Sequence, residues 1–318
     1  MNRLPRALRW LLSAAILAAL YWSVPIAEVR VAVTGVSAAV LLAGLAASAA
    51  THASVVLRLR VLFAARGNAP RYGELLRLHL ESLWYKLFLP GGALANVVVR
   101  FAKLRAVERD ASRLAPMVIV ERWLATLGLA ALGGLCWVID RPSLPDSFAV
   151  FWLGALLAVT VTGVLLFAQP IARVAMRITR AVFPAGFAER AERSFAALAE
   201  LRALSAAAQL RLAALAVLPH VFGTVAFATL AAALGLTENV ATWGWIRSGV
   251  ILATMLPLSV AGLGVRDLTL VYVLGFYGVA RADSLALASL IFAVTIVAPA
   301  VVGGVLEAAR WLRRGKTP

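Results

Sequence analysis

Apolar residues fill this chain in long unbroken runs, and polar residues gather in short clusters between them. Six runs are read as spanning helices, for which about 18 apolar residues suffice: Trp10–Val24, Val31–Ser54, Ala115–Val138, Phe148–Ala168, Leu212–Leu236 and Ser284–Arg310. Two further stretches, Leu75–Arg100 and Ser248–Val279, are as apolar but are interrupted near their centres, by LFLPGGALANVV and MLPLSVAGLGV. Proline removes a backbone donor and glycine weakens the helix, so each stretch predicts two shorter helices joined by a tip.

The clusters between the runs are mostly basic, and cytoplasmic loops of membrane proteins carry an excess of Lys and Arg. Arg3, Arg6 and Arg9 precede the first run; Arg58, Arg60, Arg66, Arg71 and Arg77 follow the second; Lys103, Arg105, Arg109 and Arg113 precede the third. Arg173 to Arg211 separates the fourth from the fifth, and Arg310, Arg313, Arg314 and Lys316 follow the last. With six spans all of these fall on one side, leaving only Arg30, Arg141, Arg247 and Arg281 on the other. Both termini are therefore expected in the cytoplasm. Each interrupted stretch then begins and ends on the same side and must be re-entrant. The first has its tip at Pro90, Gly91 and Gly92, and the second at Pro257, Ser259, Gly262 and Gly264. Trp22, Trp137, Trp152, Trp243 and Trp245 are expected at the outer interface, with Trp10 and Trp311 at the inner one.

The fold class expected is all-α: a polytopic membrane protein with six transmembrane helices and two opposed re-entrant helical hairpins. The order span, span, hairpin, span occurs twice with opposite orientation, which is the inverted repeat used by many transporters. Residues 1–318 form one transmembrane domain, with 1–138 and 148–310 as its repeats. The segment 170–211, with Phe195, Leu198 and Leu201 at helical spacing, reads as an amphipathic helix on the cytoplasmic leaflet.

Composition narrows the choice of function. The 318 residues are 62% hydrophobic and only 14% charged, against about 25% charged in average soluble chains. The formal charge of +16 belongs to membrane loops, so no nucleic-acid partner is expected. Cys136 is the one cysteine, and His52, His79 and His220 are scattered, so neither a disulfide framework nor a metal motif is read. No GxxxxGK[ST] loop is present, and neither a cofactor nor a catalytic residue is expected. Frequent Ala and Arg with little Lys suggest a bacterial source.

Ionisable residues inside apolar segments cost about 2.5–3.5 kcal/mol each on insertion scales, so those present are read as functional or paired. The bases are Lys86, Arg100, Arg122 and Arg266; the acids are Glu81, Glu121, Asp267 and Glu307. The four bases are candidate substrate-binding residues, because arginine engages a phosphate bidentately. Glu81, Glu121 and Asp267 are candidate charge partners.

At these residues the chain resembles the lysylphosphatidylglycerol synthase transmembrane-region family, in LFLPGGALANVVVRFAKLRA, in VIVERW and most specifically in LPLSVAGLGVRDLTLVYVLGFYGVARADSLALASLI. It departs from the family pattern at Ala95, Asn96 and Val97, where an acid often stands, and at Asp267, where Glu is commoner. Members fused to an aminoacyl-transferase domain make and flip an aminoacylated phospholipid; no such domain is read here. The resemblance thus implies the lipid-translocating half, moving a phospholipid, polyprenyl lipid or glycolipid with an anionic or zwitterionic headgroup across a bacterial inner membrane. A second copy of the chain or a lipid-modifying enzyme is a further candidate partner. The alternatives are a membrane subunit that recruits a cytosolic lipid-modifying enzyme, and an intramembrane lipid-phosphate transferase.

Overall fold

The computed structural model describes residues 26–88, 92–140, 142–182, 186, 188–189, 192, 204–255 and 263–314. Among them all regular structure is helical: α1 (Ile26–Thr34), α2 (Ala38–Ala64), α3 (Tyr72–Phe88), α4 (Gly92–Leu104), α5 (Ala111–Asp140), α6 (Asp146–Phe167), α7 (Gln169–Val182), α8 (Ala206–Ala232), α9 (Val240–Thr254), α10 (Val265–Gly275), α11 (Arg281–Phe292) and α12 (Ala298–Arg314). A π-helical turn, Ala293–Val297, makes α11 and α12 one continuous rod.

Among the described residues five helical segments are long and apolar enough to cross a membrane: Ala38–Ala64, Ala111–Asp140, Asp146–Gly163, Ala206–Ala232 and Arg281–Arg313. Much of their large apolar surface, including Leu42, Val150, Leu153, Leu157 and Val305, faces outward and would meet acyl chains. The sixth expected span, Trp10–Val24, lies outside the described residues.

Boundaries moved where capping overrode hydrophobicity. The run Val31–Ser54 is not one helix: α1 ends at Thr34, and α2 begins after Ser37, whose hydroxyl accepts the Val40 N–H at 3.4 Å. From there α2 continues to Ala64, so Arg58 lies inside the helix rather than in a loop cluster, with only 2% of its surface exposed. Likewise Asn239 caps α9 by accepting the Thr242 N–H at 2.9 Å. Arg247 is therefore two turns into a helix and buried, not on an outer loop.

The two interrupted stretches are helix pairs that fold back on themselves. In the first, Lys103 of α4 reaches Glu81 of α3 at 3.1 Å and sits 4.7 Å above the Tyr85 ring. In the second, the rings of Trp245, near the start of α9, and Tyr277, after α10, have centroids 6.3 Å apart. Asp140, in the last turn of α5, holds this second pair. Its carboxylate accepts from Asn239 Nδ2 and Thr242 Oγ1 at 2.7 Å and from Trp245 Nε1 at 2.8 Å. Trp245 is thus drawn into the interior, where it shares one buried cluster with Trp243 and Trp152.

The most extensive packing is between α2 and α8; α3 lies against α12, and α5 against α9. Of the expected amphipathic segment, α7 is described: Ile171, Val174, Ile178 and Val182 are exposed along one face, with Arg173, Arg177 and Arg180 between them. Phe195, Leu198 and Leu201 lie outside the described residues.

Close backbone approach explains one glycine in particular. A Cβ on Gly303 of α12 would collide with the Leu80 carbonyl of α3, whereas Gly154 of α6 has open space beside it. We expect Gly303→Ala to cost about 1–3 kcal/mol through overpacking. That loss would appear as a lowered unfolding temperature in detergent, with Gly154→Ala showing none.

Candidate functional site

A cavity of about 270 Å³ lies where α2, α3, α5, α8, α9, α10 and the π turn converge. Its lining includes four basic side chains: Lys86 from α3, Arg122 from α5, Arg247 from α9 and Arg266 from α10. His52 of α2 and His220 of α8 add two imidazoles, and Ser48, Thr51, Thr254 and Thr295 add hydroxyls. Among the described residues no carboxylate lines it. The backbone irregularity helps to form this space, since the π turn places Thr295 and Ile296 on the wall; such turns recur at functional sites.

The two nearby carboxylates are already engaged. Glu121, 3% exposed, holds Arg58 Nη2 on one oxygen at 2.7 Å and Arg100 Nη1 beside the other at 3.1 Å. Arg58 Nη1 also donates to the Leu215 carbonyl at 3.1 Å. That carbonyl is available because Pro219, four residues on in α8, has no N–H to give it. Asp267 receives Arg266 Nη2 at 2.9 Å and accepts the Gly264 N–H at 2.9 Å, closing the start of α10. Gly264 takes φ 79°, where a side chain would be strained. Among the described residues, Lys86, Arg122 and Arg247 have no carboxylate within 4.0 Å; these and Arg266 are the cations presented to the cavity. Arg266 Nε and Nη1 are buried without partners, and its guanidinium lies 4.7 Å above the Phe292 ring. Arg247 lies over Phe227 at 5.8 Å and fits because residue 223 is glycine: a Cβ there would strike the guanidinium.

The imidazoles are tied to the same frame. His220 Nε2 lies 2.8 Å from the Ala125 carbonyl and so must carry the proton it donates. His52 Nδ1 lies 3.0 Å from His79 Nε2, so two histidines far apart in sequence share a hydrogen bond beside the cavity.

The family model described as Lysylphosphatidylglycerol synthase TM region matches residues 6–303. The chain belongs to this lysylphosphatidylglycerol synthase transmembrane-region family. No match to a curated protein accompanies it. The chain is thus a multi-pass membrane protein of a family related to lipid handling.

Two of the three segments that carry the likeness to the lysylphosphatidylglycerol synthase transmembrane region meet at the cavity. VIVERW supplies Glu121 and Arg122, and GLGVRD supplies Gly264, Arg266 and Asp267. Of the four candidate substrate-binding residues, Lys86, Arg122 and Arg266 line the cavity, whereas Arg100 is turned to Glu121 and does not. Glu81 belongs to a separate network, fully buried among Lys103 at 3.1 Å and Arg77 and Arg310 at 3.8 Å; Lys103 also pairs with Glu307. Pro90, Gly91, Pro257, Ser259 and Gly262 lie outside the described residues, and Gly92 opens α4.

Sequence reasoning missed Arg58, Arg247 and the two lining histidines. The caps at Ser37 and Asn239 were the available signals for the arginines: the first shifts α2 toward its C-terminal end so that it runs on past Arg58, and the second starts α9 ahead of Arg247. Nothing local marks the histidines, which are brought to the wall by packing of α8 on α2 and α5.

Removing the shared carboxylate should be severe. Glu121→Gln leaves two buried guanidiniums without a counter-charge, and breaking a buried pair in this way costs about 3–5 kcal/mol. We expect a clear fall in detergent unfolding temperature, with Glu74→Gln, on a half-exposed pair, as the silent control.

Proposed function

We propose that this protein is a lipid translocase of the bacterial inner membrane. An anionic headgroup enters the cavity from one leaflet while its tails stay in the bilayer, and leaves toward the other. The observation that carries this reading is the cavity itself: four cations from four different helices, with no carboxylate on the described lining. A buried cation without a counter-charge is expensive, and an anionic ligand would relieve it. Arginine forks and the lysine ammonium can hold such a ligand through charge-assisted hydrogen bonds. Arg100 and Arg58, locked to Glu121, position the frame rather than touch the lipid.

The architecture we propose has six spans, cytoplasmic termini and two re-entrant hairpins, α3–α4 and α9–α10, in an inverted repeat. The pattern of packing supports it. Exchanging α2 with α8, α3 with α9 and α5 with the α11–α12 rod converts the α3–α12 contact into the α9–α5 contact. Glycine marks both: Gly133 of α5 abuts Ser248 of α9, and Gly303 and Gly304 of α12 abut Leu80 and Trp84 of α3. Under that exchange each half contributes two of the four cavity cations, which is where such transporters place their substrate, between repeats at mid-depth.

Reconstituted liposomes with headgroup-labelled lipid test this. The native chain should accelerate flipping. Arg247→Ala and Arg266→Ala should each slow it about tenfold or more, as expected when one charge-assisted contact of roughly 1.5–3 kcal/mol is lost. Absence of flipping across anionic phospholipid and polyprenyl panels would reject translocation in favour of a recruiting subunit or a transferase. Cysteine labelling at positions 68 and 238 should give opposite sidedness; labelling from the same side would reject the proposed topology.

A further inference from the structure

We infer that the headgroup taken by this cavity bears more than one negative charge at a terminal phosphate, as in a lipid phosphomonoester or diphosphate, and that amine-bearing headgroups are excluded. The inference rests on the translocase reading and goes further by naming the ligand chemistry.

The charge balance leads there. Around the cavity stand Arg58, Lys86, Arg100, Arg122, Arg247 and Arg266, against Glu121 and Asp267. Glu121 is consumed by Arg58 and Arg100 on its two oxygens, and Asp267 by Arg266 and a backbone N–H. Lys86, Arg122 and Arg247 thus face the cavity with no ion pair among the described residues. Arg266, though paired on Nη2, keeps Nε and Nη1 buried and unsatisfied. A phosphodiester with its single charge would leave most of this charge unanswered at membrane depth. A terminal phosphate has three unsubstituted oxygens and a charge approaching −2 at neutral pH, and a diphosphate has more.

The same lining speaks against amines. An ammonium group, whether on a zwitterionic lipid or an aminoacylated one, needs a carboxylate, a carbonyl cage or an aromatic box. The described lining has no carboxylate, and its one aromatic side chain besides the imidazoles, Phe227, already lies beneath Arg247. A cationic lysyl headgroup would add charge of the sign already in excess. The Ser48 hydroxyl can donate to a phosphate oxygen, and those of Thr51 and Thr254 can do so by rotating away from the Ala47 and Ile251 carbonyls to which they donate.

The experiment is a binding comparison on the full-length chain in nanodiscs. The probes are dioleoyl phosphatidate, dioleoyl phosphatidylglycerol and lysyl-phosphatidylglycerol of matched chains, with free pyrophosphate as the soluble arm. We expect phosphatidate to bind at least about tenfold more tightly than phosphatidylglycerol, an advantage of ~1.4 kcal/mol or more, and the lysyl lipid to bind most weakly. Equal affinity for the two anionic lipids, or preference for the lysyl lipid, overturns the inference even if flipping occurs. Selective phosphatidate binding without flipping upholds the inference and rejects the translocase. Pyrophosphate binding as tightly as phosphatidate upholds the terminal-phosphate chemistry and removes the lipid from the proposed function.

Lys86→Met separates ligand binding from structure. Because Lys86 is an uncompensated cation, its loss should raise the unfolding temperature of the ligand-free protein while weakening phosphatidate binding. A merely structural lysine would lower that temperature and leave the affinity unchanged, and this result overturns the assignment of Lys86.

Discussion

Glu121 lies buried on α5 with Arg58 of α2 against one carboxylate oxygen and Arg100 of α4 against the other, so three separate elements meet at one carboxyl group. Its geometry explains why so much positive charge can be kept within an apolar bundle. Two of the cations are neutralised in part by one anion, and Arg58 is anchored further by the carbonyl that Pro219 frees in α8. The next residue, Arg122, faces the cavity because successive side chains on a helix point in different directions. Among the described residues, the bundle therefore separates its cations into a frame paired through Glu121 and a wall on which Arg266 alone has a carboxylate partner, its neighbour Asp267.

The two helix pairs are held by different means. In the first, ion pairs reach to other helices: Arg100 to Glu121, and Lys103 to Glu81 and Glu307. In the second, Arg266 pairs with its own neighbour Asp267, which also closes the backbone at Gly264. A further tie of this pair to the rest comes from the other end, where Asp140 gathers donors from the start of α9. The start of α10 is consequently a self-contained unit, carrying a guanidinium with two spare donors.

Departures from regular helix gather around the cavity. The π turn, the glycine that admits Arg247 and the positive φ of Gly264 border the cavity or lie beside a residue that does, and the proline within α8 frees the carbonyl that anchors Arg58 in the frame behind it. At membrane depth such irregularity is tolerated where protein or water in a cavity satisfies the released groups. Here an arginine performs that service for Leu215, and Asp267 for Gly264.

The membrane class, the helical content, the interrupted stretches and the charged residues stranded among apolar ones could all be read along the chain. Each depends on local composition: a run of apolar side chains must find lipid or core, and Pro with Gly breaks it wherever it folds. Lys86, Arg122 and Arg266 stood out for the same reason. Arg58 and Arg247 did not, because a one-dimensional pattern places an arginine near the end of an apolar run in the nearest loop, whereas the caps at Ser37 and Asn239 shift the helices so that both residues turn inward. Which carboxylate meets which guanidinium was decided only in three dimensions. Glu121 is 63 residues from Arg58, and such pairs form only when packing brings distant helices to hydrogen-bonding distance. The same holds for the cavity: its cations come from four helices, and only their convergence makes four isolated charges into one site.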